Sequence, residues 1–238
     1  MSNIIDSVNN NNVSTSQDIY NSYNNFIFSN DIKIFGKLML RHSFFEKIKN
    51  IPGDIVEVGV FKGSGVTSWL KMIKLHCGQS NKKVVGFDFF NSIDTEQYCK
   101  TQVSGIYLNA VINRTSISTL ELDVVKNAIL NSDIDPTKLL LIKGDITNTT
   151  KIFCQENPGF RISLLYIDVD LGEATYYSLL NLWDRILPGG IIIFDEYEFH
   201  KFTESCGVEK FLKEKNIAFT LESTNFISPS AFMIKKTF

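Results

Sequence analysis

The sequence predicts an α/β fold, a doubly wound and mostly parallel seven-stranded sheet with an antiparallel hairpin at one edge. Three observations carry this expectation. Short β-branched runs alternate with longer helical patterns, each run is nearly continuous in apolar residues, and the first run passes through a glycine-rich turn into a helix.

Residues 1–28 are rich in Asn and Ser with scattered Ile, Tyr and Phe, too polar for a core and too aromatic for a plain linker. They read as a polar N-terminal arm, either disordered or folded over, ahead of a single domain spanning 29–238. From Asp31, the spacing of Ile34, Phe35, Leu38, Met39, Phe44, Phe45 and Ile48 predicts a helix that packs by one apolar stripe and ends at Asn50 and Pro52. Five strands follow, at Asp54 to Val60, Lys83 to Phe89, Leu139 to Lys143, Ile162 to Asp168 and Gly190 to Asp195. Helices are expected around Ser64 to His76, Ser118 to Leu130, Asn148 to Glu156, Ala174 to Arg185 and Thr203 to Lys215. Two closing runs, Ile217 to Glu222 and Ala231 to Lys236, are joined by a turn containing Pro229 and form the edge hairpin.

With 238 residues, 44% hydrophobic and 21% charged, the chain has the make-up of one globular domain. Its 24 basic residues are balanced by 26 acidic ones, so the basic excess of a nucleic-acid groove is missing and no nucleic-acid partner is expected. Cys77, Cys99, Cys154 and Cys206 form no CxxC pair and read as reduced thiols. The amino terminus lacks the pattern of a secretory leader, and no stretch offers 18 uninterrupted apolar residues. The expectation is a soluble cytoplasmic protein with no membrane partner.

The segment DIVEVGVFKGSGVTSWL places Gly59, Gly63 and Gly65 between a buried strand and a helix, where free backbone amides favour the anionic part of a ligand. Dinucleotide enzymes use the same device, but their fingerprint is G-x-G-x-x-G, whereas here Glu57 precedes the first glycine in the order E-x-G-x-x-x-G. Asp88, at the end of the second strand, stands where a nucleoside site needs an acid for the ribose hydroxyls, a demand that a nicotinamide enzyme shares. Asp145, in KGD, is placed either to meet an adenine amino group or to cap the next helix.

Four acids end the fourth and fifth strands: Asp168 and Asp170 in YIDVDLGE, Asp195 and Glu196 in FDEYE. Parallel strands bring these ends to the same sheet edge as the glycine turn. Gathered like charges are costly without a positive partner, and an all-oxygen set suits a hard divalent cation, with Mg²⁺ the preferred ion. Such an ion has work to do at a hydroxyl. A proton with pKa near ~16 does not pass readily to an Asp near ~4, and that gap is worth roughly 16 kcal/mol.

Together IVEVGVFKG, FDFF, KGD, YIDVDLGEAT, LPGGIIIFDEY and the helix carrying Val208, Glu209 and Phe211 resemble the macrocin-type and novobiocin-type sugar O-methyltransferases, with more distant similarity to catechol O-methyltransferase. The resemblance runs from about Gly53 to Phe211. It implies a Rossmann-like class I methyltransferase fold, S-adenosylmethionine as cofactor, Mg²⁺ held by Asp168, Asp195 and Glu196, and catalytic roles for Asp168 and for Asp170 as general base. It also places Glu57, Gly59, Gly63, Ser64, Asp88, Asp145 and the flanking Val60, Phe89, Ile146 and Asp168 at the cofactor. The acceptor it implies is a small sugar-containing molecule, and such relatives often self-associate. Relatives usually carry an aromatic residue at the position of Gly172, which is expected to border the acceptor pocket together with the loop after Phe90. Arg114 and Lys100 fall in a long crossover expected to cover the acceptor, with Arg114 a candidate for meeting a phosphate. A solvated surface charge is the safer reading of either. His200 is expected at a surface or helix entry, and His42 and His76 are expected to be structural. A nicotinamide oxidoreductase and an inactive binding module are the rival readings.

Overall fold

The computed structural model describes residues 16–90, 109, 113, 115–217 and 220–236. Cys99, Lys100 and Arg114 lie outside them.

Two N-terminal helices, α1 (Ser16–Ile27) and α2 (Ile32–Ile48), precede β1 (Asp54–Val58), α3 (Ser64–His76) and β2 (Val84–Asp88). Then come α4 (Leu122–Leu130), β3 (Leu139–Lys143), α5 (Ile146–Glu156), β4 (Ile162–Ile167), α6 (Gly172–Leu182), β5 (Ile186–Phe194) and α7 (Glu204–Lys215). The chain closes with β6 (Glu222–Ser223) and β7 (Ala231–Ile234). The sheet order is β3-β2-β1-β4-β5-β7-β6, parallel from β3 to β5 and antiparallel from β5 to β6. The expected edge hairpin is therefore present, with β7 threaded between β5 and β6.

Alternation along the strands sorts their side chains onto two faces. Val56, Val58, Phe87, Leu165, Ile167, Ile192 and Phe194 pack with Phe153 of α5, Leu179 of α6 and Phe211 of α7. Ile55, Leu164, Tyr166, Ile191 and Ile193 pack with Phe45 of α2, Trp69 of α3 and Ile129 of α4. Each large side chain sealed this way contributes about 1.5–3 kcal/mol. Glu57 takes its turn in this alternation on the α2–α3 face, which makes it a carboxylate buried in a core.

Two expectations are corrected. β3 is an edge strand, so only β1, β2, β4 and most of β5 show the near-complete burial expected of all five parallel strands. Helix α2 does not pack by its whole apolar stripe. Phe44, Phe45 and Ile48 are buried, but Ile34, Phe35, Leu38 and Met39 are exposed, because the N-terminal half turns a different face inward. That face carries Lys33, Lys37 and Arg41, spaced four residues apart and so stacked along one side of the helix. Among the described residues no helix is long and apolar enough to cross a membrane.

Candidate active site

Backbone hydrogen bonds run past the strand ends and join their carboxyl edges into one rim. Gly59 N donates to Phe87 O at 2.9 Å, Asp168 N to Val58 O at 2.8 Å, Asp195 N to Ile167 O at 3.0 Å and Gly144 N to Asp88 O at 3.0 Å. The glycine turn and the acidic strand ends are thereby brought side by side. Gly59 makes the closest approach. Its φ is +91°, and a Cβ built on it would stand 1.8 Å from Asp168 O, so only glycine lets the β1 turn lie against the end of β4.

Asp88 organises the glycine turn. Its Oδ2 accepts the Val60 and Phe61 amides at 2.7 and 2.8 Å, and its Oδ1 accepts the Phe90 amide at 3.0 Å. Asp145 caps α5, accepting from Thr147 N at 2.9 Å and Thr147 Oγ1 at 2.8 Å, which is the helix-cap alternative of the two. Val60 and Ile146 are 3% exposed with side chains in the two cores, so each offers only main chain to a ligand. Ser64 opens α3 and is exposed, while Phe89 is half-buried.

Glu57 is held by two neighbours that sequence reasoning left out of the site. Trp69 Nε1 donates to its Oε2 at 2.7 Å, and Arg41 Nη1 reaches the same oxygen at 3.3 Å. The Arg41 guanidinium also lies over the Tyr166 ring at 4.4 Å. Burial raises the Glu57 pKa, and Arg41 opposes the rise.

The four acids of the strand ends are gathered, and the cations among them come from α2. Lys37 Nζ donates to Asp195 Oδ2 at 2.8 Å and to Asp168 Oδ2 at 3.0 Å, and Lys33 Nζ stands 3.4 Å from Glu196 Oε1. Asp195 additionally accepts from Ser228 Oγ at 2.6 Å and from the Tyr166 hydroxyl in a short hydrogen bond. Burial works to raise the Asp195 pKa, but Lys37 and these hydroxyls outweigh it and hold the carboxyl below the usual range. Asp168 moves the other way, raised by burial and then by the Asp195 charge. Asp170, in a left-handed conformation with φ of +60°, is pushed up to about 8 by burial and by Asp168, Glu196 and Asp195. Glu204, at the start of α7, is fully buried. It accepts the Glu196 amide at 3.0 Å and is raised well above the ordinary Glu value, by burial first and then by Asp195, Asp168 and Asp170.

The donor set fits a hard divalent ion in its chemistry, being all oxygen. In this arrangement Lys37 takes the place between Asp168 and Asp195. Among the described residues the group of metal-type ligands with atoms within 4.8 Å of one another is His42, Glu46 and His76, not the strand-end acids.

Gly172 is buried, and its added Cβ would stand 2.5 Å from Thr203 O, a close contact between α6 and the start of α7, while the loop after Phe90 expected beside it lies outside the described residues. His200 is exposed in the turn before α7, as expected of a surface residue. Lys33, Lys37 and Arg41 were legible as three cations at helical spacing, but the stronger apolar stripe beside them assigned that helix to packing.

Comparison with known proteins agrees with this architecture. The chain is 25% identical over 148 residues to the demethyldecarbamoylnovobiocin O-methyltransferase of Streptomyces niveus, covering 62% of this chain and 54% of that protein. It is 22% identical over 150 residues to a tetracenomycin-type 4'-O-methyltransferase of Streptomyces olivaceus, again covering 62% and 54%. The chain thus spans about half the length of the curated relatives it matches. Among solved structures it is similar in fold to the O-methyltransferase NovP, with a TM-score of 0.69 at 22% identity over 84% of this chain and 79% of that one. It is likewise similar to apo CalS11, a TDP-rhamnose 3'-O-methyltransferase, with a TM-score of 0.64 at 21% identity over 97% and 90%. Residues 40–228, most of the domain and all of the strand-end acids, match one family throughout, and the chain belongs to the macrocin-O-methyltransferase (TylF) family.

Proposed function

We propose that this protein transfers the methyl group of S-adenosylmethionine to a hydroxyl of a sugar-containing acceptor, glycosylated or nucleotide-linked. The observation that carries the reading is the gathering of Asp168, Asp170, Asp195 and Glu196 beside the glycine turn after β1, in a chain of this family. In the reaction the acceptor oxygen forms a bond to the methyl carbon as the carbon–sulfur bond breaks. The hydroxyl proton goes to Asp170, and S-adenosylhomocysteine leaves. Most of the rate comes from holding donor and acceptor in line.

Each residue has a task in this reading. Asp88 shapes the turn by accepting three amides, and a carboxylate with about four lone-pair sites retains one for a ribose hydroxyl. Glu57, anchored by Arg41 and Trp69, faces the methionine end of the cofactor. Asp170 stands among Asp168, Asp195 and Glu196 with its carboxyl raised above the usual range, which favours its taking a proton. Asp168, Asp195 and Glu196 are the residues to hold Mg²⁺, which when bound supplies the Lewis acidity that lowers a hydroxyl's pKa.

The test is incubation with labelled S-adenosylmethionine and a panel of nucleotide-linked deoxysugars, including TDP-rhamnose, read by mass spectrometry. Thermal-shift titration runs beside it, with stabilisation by S-adenosylhomocysteine and not by NAD as the expected result. Stabilisation by NAD alone would move the chain to the oxidoreductase reading. Binding without transfer to any acceptor would favour an inactive module.

A further inference from the structure

We propose that His42, Glu46 and His76 form a second metal site, one for a borderline transition ion of the Zn²⁺ type, that clamps α2 to α3. The sequence has three histidines, and two of them meet here from different helices. His42 and Glu46 lie one turn apart on α2, so they project from the same side of that helix, and His76 is the last residue of α3. The imidazole centroids are 5.9 Å apart, and one donor atom from each of the three residues lies within 4.8 Å of the other two.

The chemistry separates this cluster from the strand-end acids. Two imidazole nitrogens and one carboxylate are a zinc-type donor set that leaves a coordination position for water, whereas an all-oxygen set suits Mg²⁺. Bonds of about 2.0–2.2 Å require the donors to draw in by roughly 1 Å. All three side chains are exposed and have the room to do so. Glu46 also pairs with Lys49 at 2.8 Å, an exposed ion pair of the kind that yields easily.

The placement gives the clamp a consequence. α2 carries Lys33 and Lys37 to the acidic rim and Arg41 to Glu57, while α3 begins at the glycine turn. An ion shared between the two helices holds the cationic face of α2 against its acids. The inference stands on these ligands alone and does not depend on the methyl-transfer reading.

Untagged protein, stripped with a chelator, is titrated with Zn²⁺ by calorimetry and with Co²⁺ by visible absorption. One ion per chain is expected, with a raised melting temperature and no competition from Mg²⁺. H42A and H76A should weaken binding at least about tenfold, and E46Q by less, since each removes or neutralises one ligand. The Asp195→Asn variant should bind Zn²⁺ like the unaltered chain. Absence of Zn²⁺ binding, or H42A and H76A binding as tightly as the unaltered chain, overturns the proposal. Loss of Zn²⁺ in Asp195→Asn alone would assign the ion to the acidic rim instead. Because the altered side chains are exposed, circular dichroism should show all the histidine variants folded.

Discussion

Lys37 and Asp195, 158 positions apart in the chain, are joined by a 2.8 Å ion pair that sets a helix ammonium among the strand-end acids. The same ammonium bonds Asp168, and its pKa is held above the ordinary lysine value because these two charges outweigh the burial that opposes them. An N-terminal helix thus supplies the positive charge that the strand ends require.

Replacing Lys37 by Met leaves Asp168 and Asp195 without that partner. A loss of stability on the order of 3 kcal/mol is expected in the absence of metal. Mg²⁺ should restore most of it, since the ion and the ammonium answer the same acids. Urea unfolding with and without Mg²⁺ measures this, and a variant indifferent to the ion would show that the two do not share the position.

Asp170→Asn keeps the side chain's shape and removes its ability to take a proton. Turnover is expected to fall by about 100-fold or more while affinity for S-adenosylhomocysteine stays within about twofold, as for loss of a general base. Single-turnover methyl transfer beside a binding titration separates the two quantities. Unchanged turnover would take the proton-transfer role away from Asp170.

Gly59→Ala sets a methyl group 1.8 Å from Asp168 O at a φ of +91°. Both the contact and the conformation oppose it, so a loss of more than about 3 kcal/mol is expected, with cofactor-product binding lost as the rim shifts. Gly159, whose Cβ would meet nothing within 4 Å, serves as the tolerant control. Equal unfolding midpoints for the two alanine variants would contradict the packing of β1 on β4.

Lys82 gives stability a pH dependence of definite sign. It is 6% exposed and donates to Ile51 O at 2.9 Å, Gly53 O at 2.6 Å and Ser163 Oγ at 2.7 Å. Burial lowers its pKa from 10.5 to about 8, with Asp54 opposing the shift. Between those two values the unfolded chain holds a proton that the folded chain has released, so stability rises with pH across the window. Below it the folded state bears the full cost of the charged form, at most about 3 kcal/mol. Subtracting the unfolding free energy of Lys82→Met from that of the unaltered chain at each pH isolates the effect. A difference that stays flat from neutral pH to the upper value would refute it.

Much of the fold was legible because its signals are local. β-branched runs, the glycine turn and the helical periods of α3, α6 and α7 each depend on residues within one or two turns of one another, so those elements lie within a few residues of where the pattern puts them. The acids of the site were legible for a related reason: parallel strands must bring Asp168 and Asp195 to the edge where Gly59 lies. β5 was less so. It begins at Ile186, four residues ahead of the expected start, because Pro188 and the glycines after it read as a turn, whereas Ile186 already pairs with Ile162 and, after a shift of register, the pairing resumes between Leu164 and Ile191.

The sequence by itself determined the doubly wound sheet, the glycine turn and the acidic strand ends, since short-range pattern and parallel-strand chirality leave few other arrangements. Only the tertiary structure decided which face of α2 turns inward. Along that helix an apolar stripe and a cationic row compete for the interior, and helical periodicity measures the two without ranking them. The buried acids broke the tie, because charges removed from water demand countercharges more strongly than Ile34 or Met39 demands cover.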